Sequence, residues 1–234
     1  MADGSVAEQQ RTAYERDSVP DDEYRAAVLA LLGFHAVPVW GWGQRAAYEK
    51  FAMEGPSLDH WVRTTGLWAE AERDLWEWEQ MVAAITVESF DDVVEHAVGR
   101  LAPDTVTALE QWLDMVFLPI CIDGLGEELV RTMAASTYGP LVRHARRMVM
   151  YKRGQCADGC SSLDEIVANT QFDTALVRDQ AEFWLGVAGE YARQATVLEA
   201  ASGWVERAIA DPLDVDGALE RVGARLHAHL EEKA

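Results

Sequence analysis

Apolar residues along this chain recur at three- and four-residue intervals, the spacing that lines one face of an α-helix. Ala27, Leu31, Phe34 and Pro38 follow it after the acidic start "PDDEY". Ser18 or Asp21 can cap this first helix, with Pro20 near its start and acids in the first turn. Pro38, with Gly33, Gly41 and Gly43 around it, is expected to kink or break the helix. The pattern resumes through "QRAAYEKFAME" and stops at Gly55-Pro56. A second helix starts at Ser57 and carries Trp61, Leu67, Trp68, Leu75, Trp76, Trp78 and Met81, with Glu70, Arg73, Asp74 and Glu77 between them. A short helix follows from Phe90 to about Leu101, started by Ser89. Ala102 to Asp104 caps a long segment from Thr105 to about Ser136, which "TYGP" breaks. Leu141 to about Arg153 is helical, "GQCADGCSS" reads as a loop, and Ser162 caps another helix. Ala175 to about Ala210 is long, and "DPLDVDG" separates it from a final amphipathic helix, Ala218 to Glu231.

No segment alternates with period two, and no hairpin signal sits between β-branched runs. The fold class is therefore all-α, and long helices with short breaks imply an antiparallel bundle. Residues 21–234 read as one helical domain behind a flexible acidic segment, residues 1–20. The longest uncharged apolar run, Val116 to Ile122, is far shorter than the roughly 20 residues of a membrane span. The polar N-terminus lacks the pattern of a signal peptide, so a cytoplasmic location is expected.

Charge narrows the partners. Forty acidic against 20 basic residues give a net charge of −20, which repels nucleic-acid backbones and anionic lipid. The one basic stretch, "RHARRMVMYKR" from Arg143 to Arg153, is read as pairing with acidic neighbours. Cys121, Cys156 and Cys160 are an odd number in a chain without the pattern of an export signal, so no disulfide framework is expected. Cys156 and Cys160 read as small residues in a turn.

One stretch carries more. Ile122 to Met148, "IDGLGEELVRTMAASTYGPLVRHARRM", reads physically as a helix, a tight Gly-Pro corner and a basic helix. The full string resembles the catalytic subunits of phenylacetyl-CoA epoxidase, the ring-1,2 oxygenase of phenylacetate breakdown. There an Asp-Gly-Ala helix leads to Ser-Tyr-Gly-Pro-Tyr-Ala-Arg and then to a basic helix. Asp123, Gly124, Tyr138, Gly139, Pro140, Arg143 and Arg147 fall in matching places. "YRAAVLALLGFHA" is similar to that family's first helix, and the element order agrees through about residue 170. The last 60 or so residues show no match. The resemblance implies a ferritin-like four-helix core with extra C-terminal helices. In catalytic members two Glu-x-x-His motifs and further carboxylates hold a di-iron centre that oxygenates an aromatic CoA thioester.

The chain departs from that pattern at the ligands. Three residues before His35, His60, His96, His144, His227 and His229 stand Leu32, Ser57, Val93, Leu141, Ala224 and Leu226, so no Glu-x-x-His exists. The family's Glu and His fall near Tyr151 or Lys152 and near Gln155, and Lys152 would add positive charge where iron sits. Asp123 matches a family carboxylate, and with Glu70 and Asp74 it is the remaining candidate metal ligand. The favoured reading has no metal, with these acids facing solvent or pairing with Arg143, Arg146 and Arg147. Trp40, Trp42, Trp68 and Trp76 could line an aromatic pocket. A metal-free degenerate paralogue or structural subunit of an aryl-CoA oxygenase is expected. The alternatives are a di-iron oxygenase with a carboxylate-only ligand set and a helical interaction or ligand-binding protein. The resemblance also implies a possible acyl-CoA ligand and a dimer, with itself or with a related subunit. Of aromatic residues such as Trp61, Trp112, Trp184 and Trp204, some are expected to lie at a helical interface.

Overall fold

A computed structural model of the chain describes residues 14–15, 18–38, 50–51, 54–55, 57–99, 109, 111–169 and 172–231. Among them the regular elements are all helical: α1 (Asp22–Ala36), α2 (Leu58–Ile85), α3 (Phe90–Val98), α4 (Asp114–Leu118), a π-helical turn (Pro119–Asp123), α5 (Gly124–Met133), α6 (Gly139–Ala168), α7 (Thr174–Ser202) and α8 (Val215–Glu231). The only β-type pairing among the described residues is a single bridge between Tyr14 and Tyr138.

Local chemistry sets most of the starts. Asp21 caps α1, its carboxylate accepting the Tyr24 N–H at 2.7 Å, with Asp22 and Glu23 at the positive end of the helix dipole. Ser57 caps α2, and Ser89 forms a reciprocal capping box with Asp92 at the start of α3. Gly139 and Pro140 open α6 as the sequence predicts, Pro140 losing nothing by lacking an N–H there. Tyr14, from the segment read as flexible, is tied to this corner. Its N–H donates to the Thr137 carbonyl at 2.7 Å and its carbonyl accepts the Gly139 N–H at 2.8 Å.

Three expected elements come out differently. "GQCADGCSS" is not a loop, because α6 runs unbroken from Gly139 to Ala168. Ser162 does not start a helix; from the middle of α6 its hydroxyl accepts from Arg63 Nε at 3.1 Å and meets His60 Nδ1 at 3.3 Å. Small and polar residues resembled a turn, but α6 is held by packing against α2, the π turn, α5 and α8. The second difference lies in the segment expected to be one helix from Thr105. Residues 105–108 lie outside the described residues, and the helix begins at Asp114 and widens into the π turn at Pro119. Proline has no N–H to give and its ring crowds the preceding turn, and the wider turn absorbs both. Third, α7 ends at Ser202 and not near Ala210, because Gly203 takes the left-handed conformation at φ 65°.

One contiguous apolar core joins all of these helices. It contains Trp184 and Trp204, so of the four tryptophans named for a helical interface only Trp61 and Trp112 keep part of their surface exposed. Trp76, named for an aromatic pocket, is 59% exposed. Trp40 and Trp42 lie outside the described residues.

Helices α1 and α3 pack closely at Gly33. A Cβ on Gly33 would stand 2.7 Å from the Val93 carbonyl oxygen and 3.1 Å from the Ala97 Cβ. Gly33→Ala should therefore destabilise the fold by about 1–3 kcal/mol, although alanine is the better helix former. A thermal melt checks this; a melting temperature equal to or above that of the wild type would show that α1 and α3 do not pack this closely.

Candidate functional site

The bundle interior holds a cluster of polar side chains from four elements. Lys152 comes from the middle of α6, and Asp123 from the π turn that Pro119 creates. Lys152 Nζ donates to Asp123 Oδ1 at 2.6 Å, both residues being buried, Lys152 at 4% exposure. Asp74 on α2 is 1% exposed, and neither of its carboxylate oxygens has a hydrogen-bond partner among the described residues. Gln155, one turn after Lys152, leaves its Oε1 unpartnered, as do Asp123 Oδ2 and the Nε2 of His35 at the end of α1. Unpartnered atoms of this kind are uncommon in protein interiors, and here they concentrate around one ammonium group.

Burial sets the protonation of this cluster. It pushes Asp74 up to about 7, against the pull of Lys152 and Arg73, while Glu77 and Glu70 reinforce the rise. Half-buried Glu70 is raised for the same first reason, with Arg73, a Gln155 hydrogen bond and Lys152 opposing. For Lys152 burial acts to lower the pKa, but Asp123, Asp74 and Glu70 together outweigh it and raise it, so the side chain stays an ammonium. His35 is held well below its ordinary value by burial and then by Lys152 and His144, so it is neutral.

A second chain leads from the interior to the surface. Trp78 Nε1 donates to His144 Nε2 at 2.6 Å, and His144 Nδ1 meets Glu77 Oε2 at 2.8 Å. An indole N–H can only donate, so His144 Nε2 must accept, which fixes a neutral ring with its proton on Nδ1. Burial lowers the His144 pKa in the same sense. Glu77 also receives Arg147 at 2.6 Å, and its carboxyl is drawn down to about 2, chiefly by the His144 hydrogen bond. His35 packs edge-on against Trp78, ring centroids 4.9 Å apart, so the chain ends against the polar cluster.

The expected candidates can now be placed. Asp74 and Asp123 both enter the interior cluster, and Glu70 stands at its edge. Asp74 and Asp123 do not face solvent or pair with Arg143, Arg146 and Arg147: Asp123 pairs with Lys152, and Asp74 has no hydrogen-bond partner among the described residues. The surface arginines find other acids, Arg143 on Glu15 at 3.0 Å and Arg147 on Glu77. Arg153 reaches Glu127 at 3.1 Å. The basic stretch is thus largely neutralised by its own neighbours, as its sequence suggested.

These residues do not suit a di-iron centre. Among the described residues no three His, Cys, Asp or Glu side chains lie close enough together to share a metal ion. The ammonium of Lys152 already occupies Asp123, and a cation beside iron is electrostatically unfavourable. His35, His144 and Gln155 enter the sequence reading only as positions that lack the family's ligand pattern, and nothing there joins them to the cluster or to the Trp78–His144–Glu77 chain. No fixed spacing announces them, since each depends on residues from separate helices meeting.

The fold and the cluster define the class: an all-helical bundle with a buried polar centre built on a lysine–carboxylate pair. No helix among the described residues is long and apolar enough to cross a membrane. No protein-family model matches the chain, and no characterised protein does. The resemblance to the epoxidase subunits therefore rests on the residues quoted for it, above all the stretch from Ile122 to Met148.

Proposed function

We propose that this chain is a metal-free, degenerate relative of the ferritin-like aryl-CoA oxygenase subunits, acting as a structural or regulatory partner and not as the oxygenating subunit. The observation that carries the reading is the buried Lys152–Asp123 pair. The resemblance puts a metal-ligating carboxylate at Asp123 and a Glu-x-x-His near 152 and 155; this chain has an ammonium and an amide, Lys152 and Gln155, both buried. A positive side chain bonded to the carboxylate supplies the charge compensation that a metal would otherwise provide. The carboxylate-only alternative, with Glu70, Asp74 and Asp123 as ligands to iron, requires Lys152 to leave that position. A helical interaction or ligand-binding protein outside any oxygenase pathway would keep the same ion pair, and partner capture separates it from the first reading.

An assembly role fits the outer surface. Leu58, Val62 and Trp76 are exposed along α2, and Leu176, Phe183 and Val197 along α7, faces that a second copy or a related subunit would cover. Acyl-CoA, if bound, would enter with the oxygenating partner.

The test is iron content and partner capture in one preparation. Protein purified anaerobically with Fe²⁺ should carry well under one iron per chain and, from its native host, should bring a related ferritin-like subunit with it. Two tightly bound irons per chain would overturn the metal-free reading. A monomer mass by light scattering at high salt, with no co-purifying partner, would end the assembly reading.

A further inference from the structure

The connection from α7 to α8, residues 203–214, closes over the carboxyl ends of two helices. Gly203 leaves α7 in the left-handed conformation, and Ala208, the only non-glycine residue with positive φ among the described residues, turns the chain at φ 54°. Backbone bonds pin this connection. The Asp211 N–H donates to the Thr132 carbonyl, in the last turn of α5, at 2.8 Å, and the Ala208 carbonyl accepts the Thr137 N–H at 2.8 Å. Between the connection, α5 and α7 lies a pocket of about 280 Å³. Leu129, Ala195, Trp204, Val205 and Leu213 give it apolar walls, and Glu199 and Asp211 supply carboxylates. Walls held by backbone bonds keep the pocket formed before any ligand arrives, as small-molecule sites usually are.

Its charge is one-sided. Glu199 stands in the last turn of α7, a turn without a basic residue. An acid there opposes the helix dipole, whose carboxyl end is negative and ordinarily draws lysine or arginine. The carboxyl end of α5 faces the same pocket through Leu129 and Thr132. The arginines nearest in sequence are engaged elsewhere: Arg131 turns to Glu127, and Arg207 to Glu23 at 2.7 Å, with a longer bond to the Gly203 carbonyl at 3.4 Å. No basic side chain is among the described residues that line the pocket, and no ion pair among the described residues holds Glu199. A local rule broken without compensation inside the chain is the mark of a functional position. The cation that would satisfy it comes from outside.

We propose that this pocket binds a compact hydrophobic ammonium ion, its charge on Glu199 and its hydrocarbon body against Trp204 and Leu213. A dry cavity of about 150 Å³ takes benzene, so a pocket of about 280 Å³ accepts a body of roughly ten to twelve non-hydrogen atoms. The two negative helix ends and the Asp211 carboxylate reject an anion of the same shape. None of the lining residues belongs to the interior polar cluster, so iron content and pocket occupancy are independent measurements.

Calorimetric titration of the full-length protein with three ligands of one hydrocarbon shape tests the proposal: 1-adamantylamine, 1-adamantanol and 1-adamantanecarboxylate. The amine should bind with a dissociation constant below about 1 mM, on the order of tenfold tighter than the alcohol, and the carboxylate should not bind. Glu199→Gln keeps the shape and removes the charge, so it should weaken the amine on the order of tenfold and leave the alcohol unchanged. Glu199→Lys supplies the cation from within the chain, and it should abolish amine binding and raise the melting temperature. Both substitutions relieve a charge that opposes the dipole of α7, so neither threatens the fold. An amine that binds no tighter than the alcohol overturns the proposal. So does an amine that keeps its affinity in Glu199→Gln, or one that fails to bind at millimolar concentration.

Discussion

Replacing Lys152 by methionine should lower the stability of the protein by about 3–5 kcal/mol at pH 8, the largest loss expected from any single substitution in the interior. The mutation removes the ammonium while leaving Asp123 at 3% exposure and Asp74 at 1%. Asp123 would then be a buried carboxylate without its ammonium, and Asp74 would keep only the pull of Arg73. Removing both partners together is a different matter. Lys152→Met with Asp123→Leu leaves no uncompensated charge from the pair, and a buried ion pair is often no more stable than apolar residues of similar size. The double variant should recover most of the loss, on the order of 2 kcal/mol or more relative to Lys152→Met alone. Denaturant unfolding of the two variants measures both. If Lys152→Met is as stable as the wild type, the ammonium does not sit against Asp123 in the folded chain, and the reading of the site fails with it.

The second large effect concerns Asp74. Its carboxyl is raised from 3.8 to about 7 by burial, so the folded state favours the protonated form. Below pH 4 both folded and unfolded chains hold the proton and the residue costs nothing. Between about pH 4 and 7 the unfolded chain releases the proton while the folded chain keeps it, so stability falls as pH rises. Above pH 7 the loss is complete, on the order of 4 kcal/mol at about 1.4 kcal/mol per pH unit. Asp74→Asn cannot ionise and should remove this slope. Part of the gain is offset, because the amide attracts Lys152 less than a carboxylate does, and a net gain of about 2 kcal/mol at pH 8 is expected. The histidines act in the other direction. Burial lowers His35, His144 and His60, the last to about 4, so their contribution is lost as pH falls below 6.5. The difference between wild type and Asp74→Asn across pH 4 to 8 isolates the aspartate. A difference that does not change with pH would show that Asp74 is ionised and solvated in the folded protein.

Much of the chain was legible because the signals are local. Asp21, Ser57 and Ser89 cap helices by bonding backbone N–H groups two or three residues ahead, and Gly139-Pro140 opens a helix through its own restricted dihedrals. A three- to four-residue apolar period needs no partner to be read, which is why the all-helical class followed from the sequence. The absence of Glu-x-x-His is likewise a property of the string itself. Local signals also misled. Gly154, Gly159 and Ser161-Ser162 have the composition of a turn, yet α6 continues through them, because long-range packing outweighs the modest propensity cost of glycine and serine. Pro119 was passed over as a break, although its missing N–H makes the π turn.

The site depended on what the sequence cannot carry. Lys152 and Asp123 are 29 positions apart, and their 2.6 Å bond exists only because α6 packs on the π turn. Trp78 is 66 positions from His144. The sequence by itself determined where helices form, how they are capped, and that no two-motif histidine ligand set exists, since each is settled within a few residues. Which charges are buried together, and which carboxylate lacks a hydrogen-bond partner among the described residues, were decided by the tertiary structure alone. The strength of each of those interactions depends on the low-dielectric interior that only the assembled bundle creates.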